Sequence, residues 1–561
     1  RANNNFICNL ICLDISIKFH FTKQMLNFSV SNGLVQGQTR KVLHRDIAEF
    51  LSIPYCKPPI GELRFQKPQP FSSFSKSIIN RGKFDTCPPQ LPMRIFNGEN
   101  LDEETWIPKE RQDENSLYVN VWCPLEILKE KENQPVLVWI YGGGYVSGSS
   151  SLEIYDGSVL ASKENIIVVS FNYRIAMLGF ISLDDEILNG NLGIWDQVCA
   201  LQWIHENISH FKGNPKNVTI VGNSAGGCSV SLHLLIEKSW EYFQNAIMLS
   251  GVCLSDWGFL TKNEVRDRSK KAVNKILEKF DFPMKWNEEI TRENKIAIIK
   301  FLQNINFKEF LLDTELVTGI LQFAWAPCVD GELIKDDPRR LFNEKKFKIC
   351  PTIFLNVANE GTYFIISRFP NIDVDNHKMI DNKYFTQTFQ YYPHFPIICS
   401  QSTRKKISVE YVLNEPLLSI DILDRIIADQ YFISGSIELA NMISKSNSKV
   451  YYLWFETFTQ PEHWPNWCGV MHSEEIYYLF GHYLTQQSET RQSATSIKIM
   501  KEFGNFVKHG DLSEVFQNYD ESSNAYIKIN EDLWTSAIFS KDQINKVRFW
   551  EKLRRKFYDN F

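Results

Sequence analysis

The sequence predicts an α/β fold: a large, mostly parallel central sheet with helices on both faces. Three observations carry that prediction. First, five near-continuous apolar runs stand at 135–141 (PVLVWIY), 166–171 (IIVVSF), 217–221 (NVTIV), 353–357 (IFLNV) and 450–455 (VYYLWF). Strands buried on both faces read this way, whereas half-exposed strands alternate. Second, helical stretches lie among the runs, at 195–208 and at 264–280, the latter with Ala272, Val273, Ile276, Leu277 and Phe280 on one face. Third, no internal repeat and no Pro/Gly/Ser-rich linker divides the chain, so one large domain over 30–555 is preferred to several.

Composition narrows the class. A hydrophobic content of 43% and a charged content of 23% are those of a soluble globular protein. A net charge of −5 gives no reason to expect a nucleic-acid partner. No segment approaches the run of about 18 apolar residues that a membrane helix needs, so no integral membrane segment is expected. Residues 1–29 are expected to be a tail outside the fold. Within them 6–17 is mildly apolar, but Asn9 and Asp14 interrupt it and no small-residue cleavage site follows, which argues against a secretory signal. The stretch 367–410 is the least regular and is expected to form a variable lid or insertion.

Taken in order, the apolar runs deliver chemistry at their ends. The first runs into Gly142-Gly143-Gly144, and consecutive glycines let backbone N–H groups approach a ligand closely. The third runs into Gly222-Asn223-Ser224-Ala225-Gly226, a G-x-S-x-G pattern. There small residues allow a sharp strand-to-helix turn that exposes a nucleophilic hydroxyl. Either motif alone is weak. Together they suggest acyl transfer, with N–H donors for the oxyanion upstream of the nucleophile. The fourth run precedes Glu360 in Asn359-Glu-Gly-Thr-Tyr-Phe364, and a carboxylate just beyond a buried strand is well placed for function. Among eleven histidines, His472 stands out in Cys468-Gly-Val-Met-His-Ser-Glu-Glu475, ahead of an amphipathic stretch at 476–480. Spacing alone leaves the acid and base assignments open.

Further motifs resemble one family. Residues 50–65 (FLSIPYCKPPIGELRF) are similar to the N-terminal signature of the type-B carboxylesterases, the group that includes the cholinesterases. Residues 114–120 (ENSLYVN) resemble the family's Glu-Asp-Cys-Leu-Tyr-Leu-Asn box, and 191–197 and the serine turn follow in order. The similarity runs from about Gly33 to about Arg554. It implies an α/β-hydrolase fold and a serine esterase with Ser224 as nucleophile, Glu360 as acid and His472 as base. Gly143, Gly144 and Ala225 would be the oxyanion donors, and no metal or cofactor is required. It also implies structural ion pairs between Arg64 and Glu114 and between Arg174 and Asp196.

Departures from the family refine the expectation. Asn223 stands where the family commonly has Glu, which removes a buried negative charge beside the nucleophile. Trp106 aligns with a loop tryptophan that cholinesterases stack on choline, although anchoring its own loop is the favoured reading. Phe323 and Trp325 fall where the family builds its acyl pocket, and both could equally be core. Neutral esters with short to medium acyl groups are therefore the expected substrates, with choline esters as the alternative. The family's secreted members carry three disulfides, but here the partner of Cys87 is replaced by Ser116 and the other two bridges lack candidates. That thiol pattern points to a reducing, cytoplasmic compartment, with a secreted or lumenal setting as the alternative. The sequons at Asn207 and Asn217 argue faintly for the latter. A catalytically inactive, cholinesterase-like binding domain is the rival class. It is disfavoured because Ser224, Glu360 and His472 are all present.

Overall fold

Each of the five apolar runs forms a strand, and the sheet extends well beyond them on both sides. The structure, a computed structural model, describes residues 25–558 apart from 32, 72–77, 80–82, 92–102, 184–186, 288, 313–320, 322, 369–405, 408, 412–419, 459–465, 486–489 and 532–533. The strands of the main sheet are β1 (Met25–Val30), β2 (Gly33–Val42), β3 (Arg45–Pro54), β4 (Tyr118–Pro124), β5 (Gln134–Ile140), β6 (Ile167–Phe171), β7 (Gly213–Asn223), β8 (Asn245–Leu249), β9 (Thr352–Val357), β10 (Val450–Phe455), β11 (Ala525–Ile529) and β12 (Trp534–Ile538). Their order across the sheet is β1-β2-β3-β4-β6-β5-β7-β8-β9-β10-β11-β12, with the short strand Ile78–Ile79 alongside β2. Every neighbouring pair from β6 to β11 is parallel. The numbered strands outside that block are joined antiparallel, and Ile78–Ile79 runs parallel to β2. This is the mostly parallel sheet of an α/β hydrolase.

Burial follows position in the sheet, falling off toward the edges. β8, β9 and β10 are buried along their whole length, as parallel strands covered on both faces must be. β11 alternates buried and half-buried residues, the mark of a strand near an edge.

One boundary needs correction. Met25–Val30 pairs with β2 from Met25↔Gln38 to Val30↔Gly33, so the sheet begins inside the stretch 1–29 that the sequence reading set apart. Phe28 packs at 5.0 Å from Phe50 and 5.8 Å from Phe211, and the backbone N–H and hydroxyl of Ser31 both donate to Asn207 Oδ1. Asn27 and Ser29, which break the apolar pattern, are exposed on this outermost strand. At the other end the last helix runs past 555, to Tyr558.

The expected helices form with shifted ends. Helix α1 (Leu192–Asn207) starts at Asn191, a left-handed residue whose amide clasps both the N–H and the carbonyl of Cys328. Helix α2 (Ala225–His233) follows β7, and α3 (Lys262–Lys279) opens with a capping box between Thr261 and Glu264. Ala272, Val273, Ile276 and Leu277 are buried on α3, but Phe280, expected on that face, lies past the last turn and is 42% exposed. Of the irregular stretch 367–410, residues 369–405 and 408 lie outside the described residues. Among the described residues no helix is long and apolar enough to cross a membrane.

Two buried ion pairs brace the sheet's front edge. Arg64 meets Glu114 through two bonds of 2.6 and 2.5 Å, and Arg174 meets Asp196 through two of 2.7 Å. Bidentate geometry of this kind offsets the cost of burying both charges. All described cysteines are free thiols, Cys87 among them. Asn207, one of the sequon asparagines, is completely buried, which suits a core residue better than a glycan acceptor.

Candidate active site

The site is built at the carboxyl ends of the parallel strands. β7 ends at Asn223 and α2 begins at Ala225, leaving Ser224 alone in the turn with φ 56° and ψ −122°. A side chain in that region is strained and persists only where the surroundings fix it. Here the Ser224 N–H donates to Leu249 O and the Ser224 carbonyl accepts from Cys228. Gly226 lets β5 come close, because a Cβ there would lie 1.9 Å from Ile140 O. The small residues flanking the serine thus answer a packing need as well as a turning one.

The glycine loop emerges beside this turn because β5 and β7 are adjacent and parallel. Gly143 and Gly144 have φ of 110° and 61°, a conformation that favours glycine. A Cβ on Gly144 would also sit 2.2 Å from the ring of Phe323. Ala225 is the first residue of α2, where backbone N–H groups have no acceptor within the helix.

Glu360 lies just beyond β9 and is completely buried. Its Oε1 accepts from Asn356 Nδ2 at 2.8 Å and from the Val357 N–H at 3.2 Å, while its Oε2 is 2.6 Å from Nδ1 of His472. With the carboxylate accepting, the imidazole proton belongs on Nδ1 and the Nε2 lone pair is left free. Nε2 is buried without a hydrogen-bond partner among the described residues, and His472 lines the same cavity as Ser224. Three rings surround the imidazole, at centroid distances of 4.8 Å (Phe432), 5.2 Å (Phe364) and 6.3 Å (Tyr363). Phe432 comes from a π-helical turn, Asp429–Ile433, between helices α4 (Ile420–Ala428) and α5 (Ser434–Ser444). Such turns recur at functional sites.

The cavity, together with the open space at its mouth, encloses about 520 Å³. The glycine loop, Asn223, Ser224 and His472 line it, together with Trp106, Tyr155, Phe323, Tyr363 and Phe364. Trp106 both faces the cavity and packs edge-on against Tyr155 at 6.5 Å. Phe323 faces the cavity with Trp257 behind it at 5.7 Å. Trp325 is not brought to the cavity: residues 324–328 turn into the core and its side chain is completely buried.

Comparison with known proteins decides the family. Residues 24–550 match the sequence profile described as "Carboxylesterase family". The chain belongs to the carboxylesterase family. It is 34% identical to a cholinesterase of Mus musculus, over 96% of this chain and 88% of that one. It is 32% identical to an acetylcholinesterase of Bungarus fasciatus, over 90% and 83%. An acetylcholinesterase of Leptinotarsa decemlineata is 28% identical over 96% and 88%. As a member of this carboxylesterase family, the protein is a carboxylic ester hydrolase.

One feature of this carboxylesterase site was missed in the sequence. Asn223, expected from the resemblance to stand in place of an acidic residue, meets a carboxyl group nonetheless: Asn223 Nδ2 donates to Glu475 Oε1 at 2.8 Å. The place of Glu475 three residues after His472 was the only sequence signal. Burial pushes its carboxyl from the ordinary 4.5 up to about 8, so the group is uncharged at neutral pH. A proton held more tightly in the folded than in the unfolded chain makes stability fall as pH rises from about 4.5 through 8. Asp424, raised by burial to about 7, acts in the same direction. Glu475→Gln is therefore expected to flatten the decline. Its melting temperature should gain on the wild type steadily from pH 5 to 8 and then hold level; parallel curves would contradict this.

Proposed function

We propose that this family member hydrolyses uncharged carboxylic esters through an acyl-enzyme on Ser224. The observation that carries the reading is the 2.6 Å contact between Glu360 and His472 Nδ1, which leaves a buried Nε2, without a partner among the described residues, in the cavity that Ser224 lines. Nε2 takes the Ser224 proton as Oγ attacks the ester carbonyl. Glu360 holds the tautomer and stabilises the imidazolium. The oxyanion is received by the N–H groups of Gly143, Gly144 and Ala225. His472 then protonates the departing alcohol. In the second half it activates water, which releases the acid and restores Ser224. A catalytic hydrogen bond from Ser224 to His472 is expected to tighten when substrate arrives.

The preference for uncharged esters is supported by the lack of any carboxylate among the described lining residues and by the protonated state of Glu475 behind Asn223. The second reading, a choline-ester hydrolase, is favoured by Trp106 at the cavity wall and by the names of the relatives. Comparing kcat/KM at pH 7 for butyrylthiocholine and for an uncharged thioester of similar size decides between them. The uncharged thioester is expected to be at least as good a substrate, and a clear choline advantage would reject the first reading. Cytoplasmic residence, expected from the thiols, gains no support from relatives named cholinesterase and acetylcholinesterase. A secreted or lumenal setting is the better fit to them.

A further inference from the structure

Two asparagines occupy matching places: Asn223 immediately precedes Ser224, and Asn359 immediately precedes Glu360. Both direct their side-chain amides at the loop that carries His472. Asn223 Oδ1 accepts from the hydroxyl of Ser473 at 2.9 Å, one residue past the histidine, while its Nδ2 holds Glu475. Asn359 Oδ1 accepts from the Val470 N–H at 3.0 Å, two residues before the histidine, and the Asn359 N–H donates to Val470 O. Asn359 Nδ2 in turn donates to Asp424 Oδ2 at 2.9 Å, and Asp424 Oδ1 accepts from the Gly361 N–H at 2.7 Å. Asp424 therefore grips the residue on each side of Glu360.

The loop needs such support. Ser473 has φ 76°, a left-handed conformation that a serine keeps only when its neighbours enforce it. Gly469 lies so close to the Asn359 amide that a Cβ there would be 2.1 Å from Oδ1. The glycine ahead of the histidine is thus explained by the asparagine that packs on it.

We propose that Asn223 and Asn359 are paired positioning residues that hold His472 between Ser224 and Glu360, with Asp424 as the anchor of the second. The proposal rests on the triad reading above. An amide at 359 meets both demands at once, accepting from Val470 and donating to Asp424 whether or not Asp424 is ionised. A carboxylate there would face a second carboxylate at hydrogen-bonding distance, and one of the two would have to stay protonated.

The test exchanges donor and acceptor. Hydrolysis of p-nitrophenyl acetate is measured from pH 5 to 9 for the wild type, Asn359→Asp, Asp424→Asn and the double variant. Asn359→Asp is expected to lower kcat on the order of 10²-fold, the scale of an ångström misplacement, with KM little changed and the pH–kcat profile displaced. In the double variant the introduced carboxylate accepts from Val470 and from the introduced amide, whose oxygen accepts from Gly361. Every bond is remade, so kcat should return to within about tenfold of the wild type and the pH profile should return with it. A merely structural role would lower the melting temperature without this reciprocal rescue of kcat.

Single variants with wild-type kcat and pH profile, or a double variant no faster than its slower parent, would overturn the proposal. Should the variants at 359 and 424 fail to fold, Ser473→Ala removes only the hydroxyl that binds Asn223. It is expected to lower kcat and displace the profile, and an unchanged profile would overturn the proposal equally. A wild type that hydrolyses no ester would instead sink the triad reading, because the frame is judged only on ratios of variant to wild type.

Discussion

Ser224→Ala is expected to lower ester turnover by roughly 10⁶-fold, the scale of a triad knockout, while leaving the fold intact. The substitution removes one oxygen at a position where the backbone, not the side chain, makes the bonds that fix the turn. Leu249 O still accepts from residue 224, and the carbonyl of 224 still accepts from Cys228. What remains should be the residual catalysis of the oxyanion donors and of binding, which persists in triad variants of serine hydrolases. Hydrolysis of a p-nitrophenyl ester measures the loss, and covalent labelling by a fluorophosphonate should vanish with it. Unchanged hydrolysis in the variant would remove Ser224 from the mechanism. A wild type that does not label would identify an inactive binding domain.

Glu360→Gln is expected to lower kcat on the order of 10⁴-fold, as an amide does when it replaces the acid of a triad. The geometry says why. Asn356 Nδ2 and the Val357 N–H both donate to Oε1, so the new amide must keep its oxygen there and turn its NH₂ toward His472. Nδ1 then has to accept, the ring proton moves to Nε2, and Nε2 can no longer take the proton of Ser224. Burial prevents water from rescuing the arrangement, because Glu360 is fully enclosed. Retention of kcat in a folded variant, checked by its melting temperature, would make the contact between Glu360 and His472 a structural one.

Legibility in the sequence followed burial and locality. β5, β6, β7, β9 and β10 were readable because strands covered on both faces become unbroken apolar runs. β1 was not readable: on an outermost strand, Asn27 and Ser29 face outward and spoil the pattern. The serine turn and the glycine loop were readable because their chemistry is local, a few residues at fixed spacing. Phe432, Asp424 and Glu475 were not, because what they do depends on partners delivered by other elements. Phe432, for example, reaches His472 from a π-helical turn that no periodicity announces. Asn359 lay in plain view next to Glu360, yet its meaning appears only once Val470 and Asp424 are beside it. Trp325, for which pocket and core were both open in the sequence, shows the converse: an aromatic residue near a pocket in sequence can turn into the core a residue or two later.

The strands that carry the site also set when it comes into being. Ser224 follows β7, Glu360 follows β9 and His472 follows β10, and Glu360 and His472, which touch, are 112 residues apart in sequence. Contacts of such long range form late, after the entropy of closing large loops has been overcome. With the roles proposed above, a chain still being synthesised carries the proposed nucleophile and then the proposed acid before the proposed base. Onset of ester hydrolysis is then expected to report folding that has reached β10 and the loop beyond it.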